Sequence, residues 1–349
     1  MLIALLALSL ACQPPSSTAE PRPVAVVRAI AETSPVDHPD DAADDPAIWI
    51  HRDDPARSLV LGTNKQSGLC VHDLKGQLLQ FLPVGRINNV DVRQGVTAGG
   101  SGTIDIAAAS HREKRAISLF AIRATVDGPR VEELPGSPFP VGVAEPYGIC
   151  LTRDVDSGSA TVYVNDKSGL IEAWRLDFSL PNAPTATLTR SLKLGSQVEG
   201  LVVDDASNIL FVGEETVGVW RIDLNQTDPE PSLILAANPH GPLVPDVEGL
   251  AIARLSGGRA VLLVSSQGNN TFVALDLSPP HTLRGSFAIG AGDLGAAEDT
   301  DGIEVCVFPL GPDFPGGVFI AQDGVNEPYH QNFKLVRWEA VVSALGLAP

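Results

Sequence analysis

The chain has 349 residues, 44% of them hydrophobic, with 33 Gly and 28 Pro spread along it, a composition that suits many short strands joined by turns and argues against long helices. Its 42 acidic residues against 24 basic ones give a net charge of −18, which excludes nucleic acid and anionic membrane as partners and suits a protein that collects cations. The length admits one large all-β domain or two ordinary ones, and internal repetition has to decide between them.

Residues 2–11, Leu-Ile-Ala-Leu-Leu-Ala-Leu-Ser-Leu-Ala, form an apolar run too short to span a bilayer but of the length of a signal-peptide core. Residues 1–19 are therefore expected to be an export signal. Either it is cleaved near Ser17-Thr18-Ala19, or Cys12 carries a lipid ahead of the Pro/Ser-rich tether at residues 13–23. Both alternatives imply a protein outside the cytoplasm (periplasmic, secreted or held at the outer envelope) with no transmembrane span. Cys70, Cys150 and Cys306 lie in apolar strand-like runs and read as small buried hydrophobes.

From residue 44 onward a step recurs. Asp44-Asp45-Pro46-Ala47-Ile48 comes first, then Asn89-Val90-Asp91-Val92, Glu145-Pro146-Tyr147-Gly148-Ile149 and Gln197-Val198-Glu199-Gly200-Leu201. Asp246-Val247-Glu248-Gly249-Leu250 and Asp299-Thr300-Asp301-Gly302-Ile303 complete the series. With Asp45, Asp91, Tyr147, Glu199, Glu248 and Asp301 as anchors, the separations are 46, 56, 52, 49 and 53. A period near fifty signals a solenoid or propeller.

Each step is followed by two strand-like runs: 59–62 and 69–72, 104–107 and 117–120, 161–164 and 170–174, 209–212 and 217–220, 261–264 and 271–274, 317–320 and 333–336. Units of this size with β-branched runs and Gly/Asp/Asn turns predict one all-β domain over residues 20–349, a six-bladed β-propeller of four-stranded antiparallel blades. The last unit ends a strand short, so residues 24–30 are the candidate to close the ring and remove its exposed edge.

In an up-and-down blade, the lead-in to the first strand and the loop between the second and third strands lie at one end. The lead-ins supply Asp44, Asp45, Asp91, Tyr147, Glu199, Asp246, Glu248, Asp299 and Asp301, and the loops supply Lys65, Arg112, Lys167, Glu214, Glu215, Gln267 and Asp323. So many carboxylates at one channel mouth need protons or cations to neutralise them. An oxygen-rich set without matching His or Cys points to calcium. Any one of these acids could simply solvate its turn, but solvation does not require the same phase six times. Lys65, Arg112 and Lys167 beside Tyr147 suit a phosphorylated substrate, unless they serve only as salt-bridge partners of the acids. The chain has no Gly-x-Ser-x-Gly, no His-Glu-x-x-His and no Walker loop, and its seven histidines are scattered, which favours metal-activated water over a covalent phosphoenzyme.

Several ordered motifs carry a family resemblance. They include Asp41-Ala-Ala-Asp44-Asp45-Pro-Ala-Ile-Trp49, Thr63-Asn64-Lys65-x-Ser-Gly-Leu69, Asn88-Asn89-Val90-Asp91 and Asp105-Ile-Ala-Ala-Ala-Ser-x-Arg112. Further along come Ser196-Gln-Val-Glu199-Gly, Asp246-Val-Glu248-Gly-Leu, Ser265-Ser-Gln267-Gly-Asn269, Asp299-Thr-Asp301-Gly-Ile and Gln331-Asn332-Phe333-Lys334. Over about residues 32 to 345 the chain resembles the β-propeller phytases.

The resemblance implies a phosphoric monoester hydrolase, a 3-phytase that uses several calcium ions to release orthophosphate from phytate or calcium-phytate and works as a monomer. It assigns phosphate contacts to Lys65, Arg112, Tyr147 and Lys167, with Glu199 also catalytic and Glu215 at the substrate. Calcium positions fall on Glu32, Asp44, Asp45, the carbonyl of Val90, Glu199, Glu215, Asp246, Glu248, Gln267, Asp301 and Asn332. A calcium-bound water is expected to attack phosphorus while Lys65 and Arg112 stabilise the equatorial oxygens. The chain departs from the pattern at Gln66 and Ser168, where a Lys and an acid are common, and at residues 292–298, where Asp293 or Glu298 could replace an acidic ligand. Two other readings stay open: a calcium-propeller lactonase or phosphodiesterase, and a non-catalytic calcium-binding propeller.

Overall fold

The computed structural model describes residues 23–100, 102–180 and 183–347; the expected export signal and Cys12 lie outside them. Six antiparallel sheets surround a central channel. Blade 1 runs Ala43–Trp49, Leu59–Asn64, Gly68–His72 and Leu78–Leu82, and blade 2 runs Ile87–Ala98, Gly102–His111, Ala116–Thr125 and Gly128–Glu133. Blade 3 comprises Ile149–Arg153, Ala160–Asn165, Leu170–Asp177 and Thr185–Lys193, and blade 4 Val198–Asp204, Ile209–Glu214, Gly218–Asp223 and Ser232–Ala236. Blade 5 comprises Val247–Arg254, Ala260–Ser266, Thr271–Asp276 and Leu283–Ile289, and blade 6 begins with Ile303–Cys306, Val318–Asp323 and Asn332–Arg337. One short helix, Trp338–Ala344, follows blade 6.

The burial of each strand follows its place in the blade. Second strands such as Ile209–Glu214 are buried along their whole length because both faces meet neighbouring blades, whereas the outer strand Thr185–Lys193 alternates toward solvent. The apolar core is therefore six clusters, each packed between adjacent blades. Between blades 5 and 6, Phe272, Phe287 and Phe319 meet with ring centroids 5.0 to 5.2 Å apart. Pairs like these add about 0.5–1.5 kcal/mol each beyond their burial. The three described cysteines are free and buried within these clusters.

The ring closes differently from the expectation for residues 24–30. Ala31–Glu32 supplies the fourth strand of blade 6, with Ala31 opposite Leu335 and Glu32 opposite Lys334. Ala25–Val27 instead adds a parallel fifth strand to blade 5, against Leu283–Ile289. The apolar pattern explains the choice: Val27 packs with Phe287 and Ile289 under blade 5, while Glu32 carries the charge that the buried Lys334 needs.

The recurrent step also has a local cause. In blades 1, 2, 4 and 5 the ladder slips at the start of the first strand, between Ala43 and Pro46, Ile87 and Val90, Val198 and Leu201, and Val247 and Leu250. Such bulges re-aim side chains, here placing Asp44, Asn88, Glu199 and Glu248 at equivalent positions. The sequence anchor in blade 2 is thereby corrected: Asp91 lies past the bulge, and Asn88 holds the place of the acid. The glycine of the step answers to packing, since a Cβ at Gly148 would sit 1.9 Å from the Glu199 carbonyl oxygen and one at Gly200 would sit 2.1 Å from that of Glu248.

Candidate active site

Three glutamates meet where blades 4 and 5 lead into the channel. Carboxylate oxygens of Glu199, Glu215 and Glu248 lie within 4.8 Å of one another, and Glu248 Oε2 is buried without a hydrogen-bond partner. Burial, then the Asp44 charge, pushes Glu199 up to about 7. Burial and the Glu199 charge hold Glu248 well above the carboxylate range, and burial raises Glu215 less. Glu215 accepts a hydrogen bond from Gln197 Nε2 at 2.5 Å.

Beside this group stands Lys65, at the end of the second strand of blade 1 and almost buried. Its Nζ lies 2.6 Å from Asp41, 3.0 Å from Asp44 and 3.2 Å from Asp301. Burial alone would lower the pKa of this ammonium, but Asp44, Asp301 and Asp41 outweigh it and keep the group charged. Asp44 and Asp301 are themselves raised by burial, so a single cation does not neutralise them. Gln267 Nε2 donates to Asp301 Oδ1 at 2.6 Å, and the Gln267 amide donates to the Asp246 carbonyl at 3.0 Å.

The opposite side of the mouth, on blades 2 and 3, is cationic. The Tyr147 ring carries Lys167 Nζ at 4.6 Å and Arg112 Cζ at 5.5 Å from its centroid, a geometry that attracts both cations to the ring. The Tyr147 hydroxyl sits beside the Glu199 carboxylate, and burial followed by the Glu199 and Glu248 charges pushes its pKa far up, so it keeps its proton. Arg112 donates to Glu145 Oε1 from Nε at 3.1 Å and Nη2 at 2.7 Å, and to Asn88 Oδ1 from Nη1 at 2.8 Å. Two of its five N–H donors thus stay available.

Eight of the sequence-derived positions, Asp44, Lys65, Arg112, Tyr147, Glu199, Glu215, Glu248 and Asp301, form this contiguous constellation, with Lys167, Gln267 and Asp246 on its edge. Others stand apart. Asp45 faces the channel wall, where Oδ2 accepts the Val90 N–H at 3.0 Å and so ties blade 1 to blade 2. Glu32 pairs with the fully buried Lys334, which also contacts Asp323 at 3.1 Å and Asn326 at 2.9 Å. Asn332 lies on the same strand, with a buried Oδ1 that has no partner. Residues 292–298 run close to this second group, since a Cβ at Gly295 would lie 3.6 Å from Lys334 Nζ, and Asp293 is exposed. Sequence reasoning assigned no role to Asn88, Asp41 or Glu145. Glu145 opens the recurrent step of blade 3, and Asp41 and Asn88 begin two of the ordered motifs, which are the signals that could have found them.

The likeness to solved structures is loose: Chaetomium thermophilum Sqt1 bound to the N-terminus of the ribosomal protein L10 is 13% identical, with a TM-score of 0.48, and the match covers 88% of this chain and 90% of that one. A curated protein described as 3-phytase, from Bacillus subtilis (strain 168), is 37% identical over 330 residues, 93% of this chain and 86% of its own length. The model for the family described as Phytase matches residues 1–349. With the six-bladed ring and its acid-and-base mouth, that match means the chain belongs to the Phytase family.

Proposed function

We propose that the chain is a calcium-dependent phytase, a phosphoric monoester hydrolase that releases orthophosphate from phytate or calcium-phytate. The observation that carries this reading is the meeting, at one mouth, of under-neutralised glutamates with Lys65, Arg112 and Lys167. The residues fit calcium. The donors are all oxygens, burial and then the neighbouring carboxylate charges push Glu248 up, and its Oε2 is a buried acceptor with nothing to accept. Glu199, Glu215 and Glu248 would hold an ion, with Asp44, Asp246, Gln267 and Asp301 as neighbouring ligands. A second oxygen group, Glu32, Asn332 and the carbonyls around them, would serve at blade 6, and Asp45 and Val90 at the channel wall. Bound calcium would supply the positive charge that lets a polyanion approach these acids.

The protein's own groups bind and orient. Arg112 offers its two remaining N–H donors to one phosphate while Glu145 and Asn88 hold the guanidinium in place. Lys65 Nζ faces the equatorial oxygens where charge spreads during transfer. Tyr147 keeps Lys167 and Arg112 on the substrate side and holds its hydroxyl proton toward Glu199. As a water oxygen bonds to phosphorus, the ester P–O bond breaks and the inositol oxygen takes up a proton. We also propose that residues 20–349 act as one monomeric propeller and that residues 1–19 direct export. Among the described residues no helix is long and apolar enough to cross a membrane.

Phosphate release from phytate with calcium and with excess chelator tests the reading. Release with calcium and none with chelator is expected, and no release with calcium overturns it. Turnover of a lactone or a diester that survives Lys65→Ala would instead favour the lactonase or phosphodiesterase alternative.

A further inference from the structure

Asn88 has no exposed surface and occupies, in blade 2, the bulge position that carries Asp44, Glu199 and Glu248 in blades 1, 4 and 5. Three of the four equivalent positions hold acids and one holds a neutral amide. That amide is fully engaged. Its Nδ2 is shared among the Asn89 side-chain amide at 2.7 Å, Glu199 Oε1 at 2.9 Å and Asp44 Oδ1 at 3.3 Å, and its Oδ1 accepts from Arg112 Nη1 at 2.8 Å. Only a side chain with both a donor and an acceptor on one planar group can do this. An aspartate would have no proton for either acid, and an apolar isostere would take one partner from each of Glu199, Asp44 and Arg112.

From this we infer that Asn88 is a positioning residue for the reaction, setting the phosphate-binding guanidinium of Arg112 in register with the Glu199 and Asp44 carboxylates across the channel. The inference rests on the reading of the mouth as a phytase site. It assigns the two ends of the amide separate tasks. The oxygen holds Arg112 and so governs phosphate affinity. The nitrogen holds Glu199 and Asp44 and so governs turnover. A buried Asn with a merely structural role would not divide in this way.

The test compares Asn88→Asp and Asn88→Leu with the parent in three measurements: kcat and KM on phytate with calcium, orthophosphate affinity of the calcium-loaded protein by calorimetry, and Tm with chelator. Asn88→Asp keeps the acceptor and loses the donors, so kcat should fall about 100-fold while KM and orthophosphate affinity stay within about threefold. Asn88→Leu should lose both, with orthophosphate affinity down about tenfold. If Asn88→Leu does not fold, the split within Asn88→Asp alone decides. A kcat for Asn88→Asp within threefold of the parent overturns the inference. Equal losses of kcat and phosphate affinity that track Tm in both variants also overturn it. Should the parent release no phosphate from phytate, the functional reading fails by itself, and the calorimetry still reads the hold of Asn88 on Arg112.

Discussion

The two ends of the channel treat acidic side chains in opposite ways. Away from the mouth, Asp91 and Asp205 share Arg93, Asp105 accepts from Arg52, Trp49 Nε1 and the Gly95 amide, and Asp204 pairs with Arg254 and Ser207. At the mouth, Glu199, Glu215 and Glu248 face one another, one oxygen is orphaned, and Lys65 is spread over three aspartates. Glu304 departs from this division: it lies at the paired end, leans on its own Val305 amide and is pushed by burial up to about 8. Acids that brace the ring are matched within the chain. Acids left in excess mark where something from outside supplies the charge.

That contrast can be broken at either end. The largest expected effect is chelation, which should abolish phosphate release and lower Tm by about 10 °C or more, because ions that bind only the folded ring stabilise it by mass action. An unchanged melting curve would remove the distinction between the two ends. Next, Lys65→Ala should lower kcat on phytate about 10²–10³-fold. Arg93→Met is the counterpart away from the mouth. It leaves Asp91 and Asp205 without their cation, so it should cost about 3–5 kcal/mol in denaturant unfolding while kcat stays within about threefold. A large kcat loss there would show that the paired end also serves the chemistry.

The smallest effect sharpens the sign. Glu199, Glu248 and Asp301 have folded-state pKa values raised above the unfolded ones, so without metal their contribution to stability is fully present in acid and is lost as pH rises, for Glu199 through about 7. Chelated protein should therefore melt at a lower temperature at pH 8 than at pH 5. Calcium-loaded protein should show the reverse slope, since acid protonates the ligands. Parallel slopes would contradict the account of the mouth.

Much of this is legible in the amino-acid sequence. The fifty-residue period and the paired strand-like runs predict six blades because a blade's hydrophobic pattern is local and repeats with each unit. The mouth residues followed from topology, as every lead-in and every loop between second and third strands shares one end. What was less legible depended on register. Asp91 shares the acidic character of its neighbours, but a bulge one step earlier gives its place to Asn88 and turns Asp91 toward Arg93. Asp45 and Asp44 are adjacent, and only the ladder slip between Ala43 and Pro46 decides that one faces Lys65 and the other the wall. Ring closure depended on which of two adjoining short strands found a partner for Val27 and which for Glu32.

By itself, then, the sequence determined the repeat, the all-β architecture and the chemical character of the mouth, since these depend on residue type and spacing along the chain. The tertiary structure alone decided which carboxylates are neutralised from within, which meet one another, and that a buried amide joins them to Arg112. Those outcomes hang on distances of a few ångströms between residues of different blades, because the Coulomb energy of a pair falls with separation and the net shift of a group is the sum over its partners.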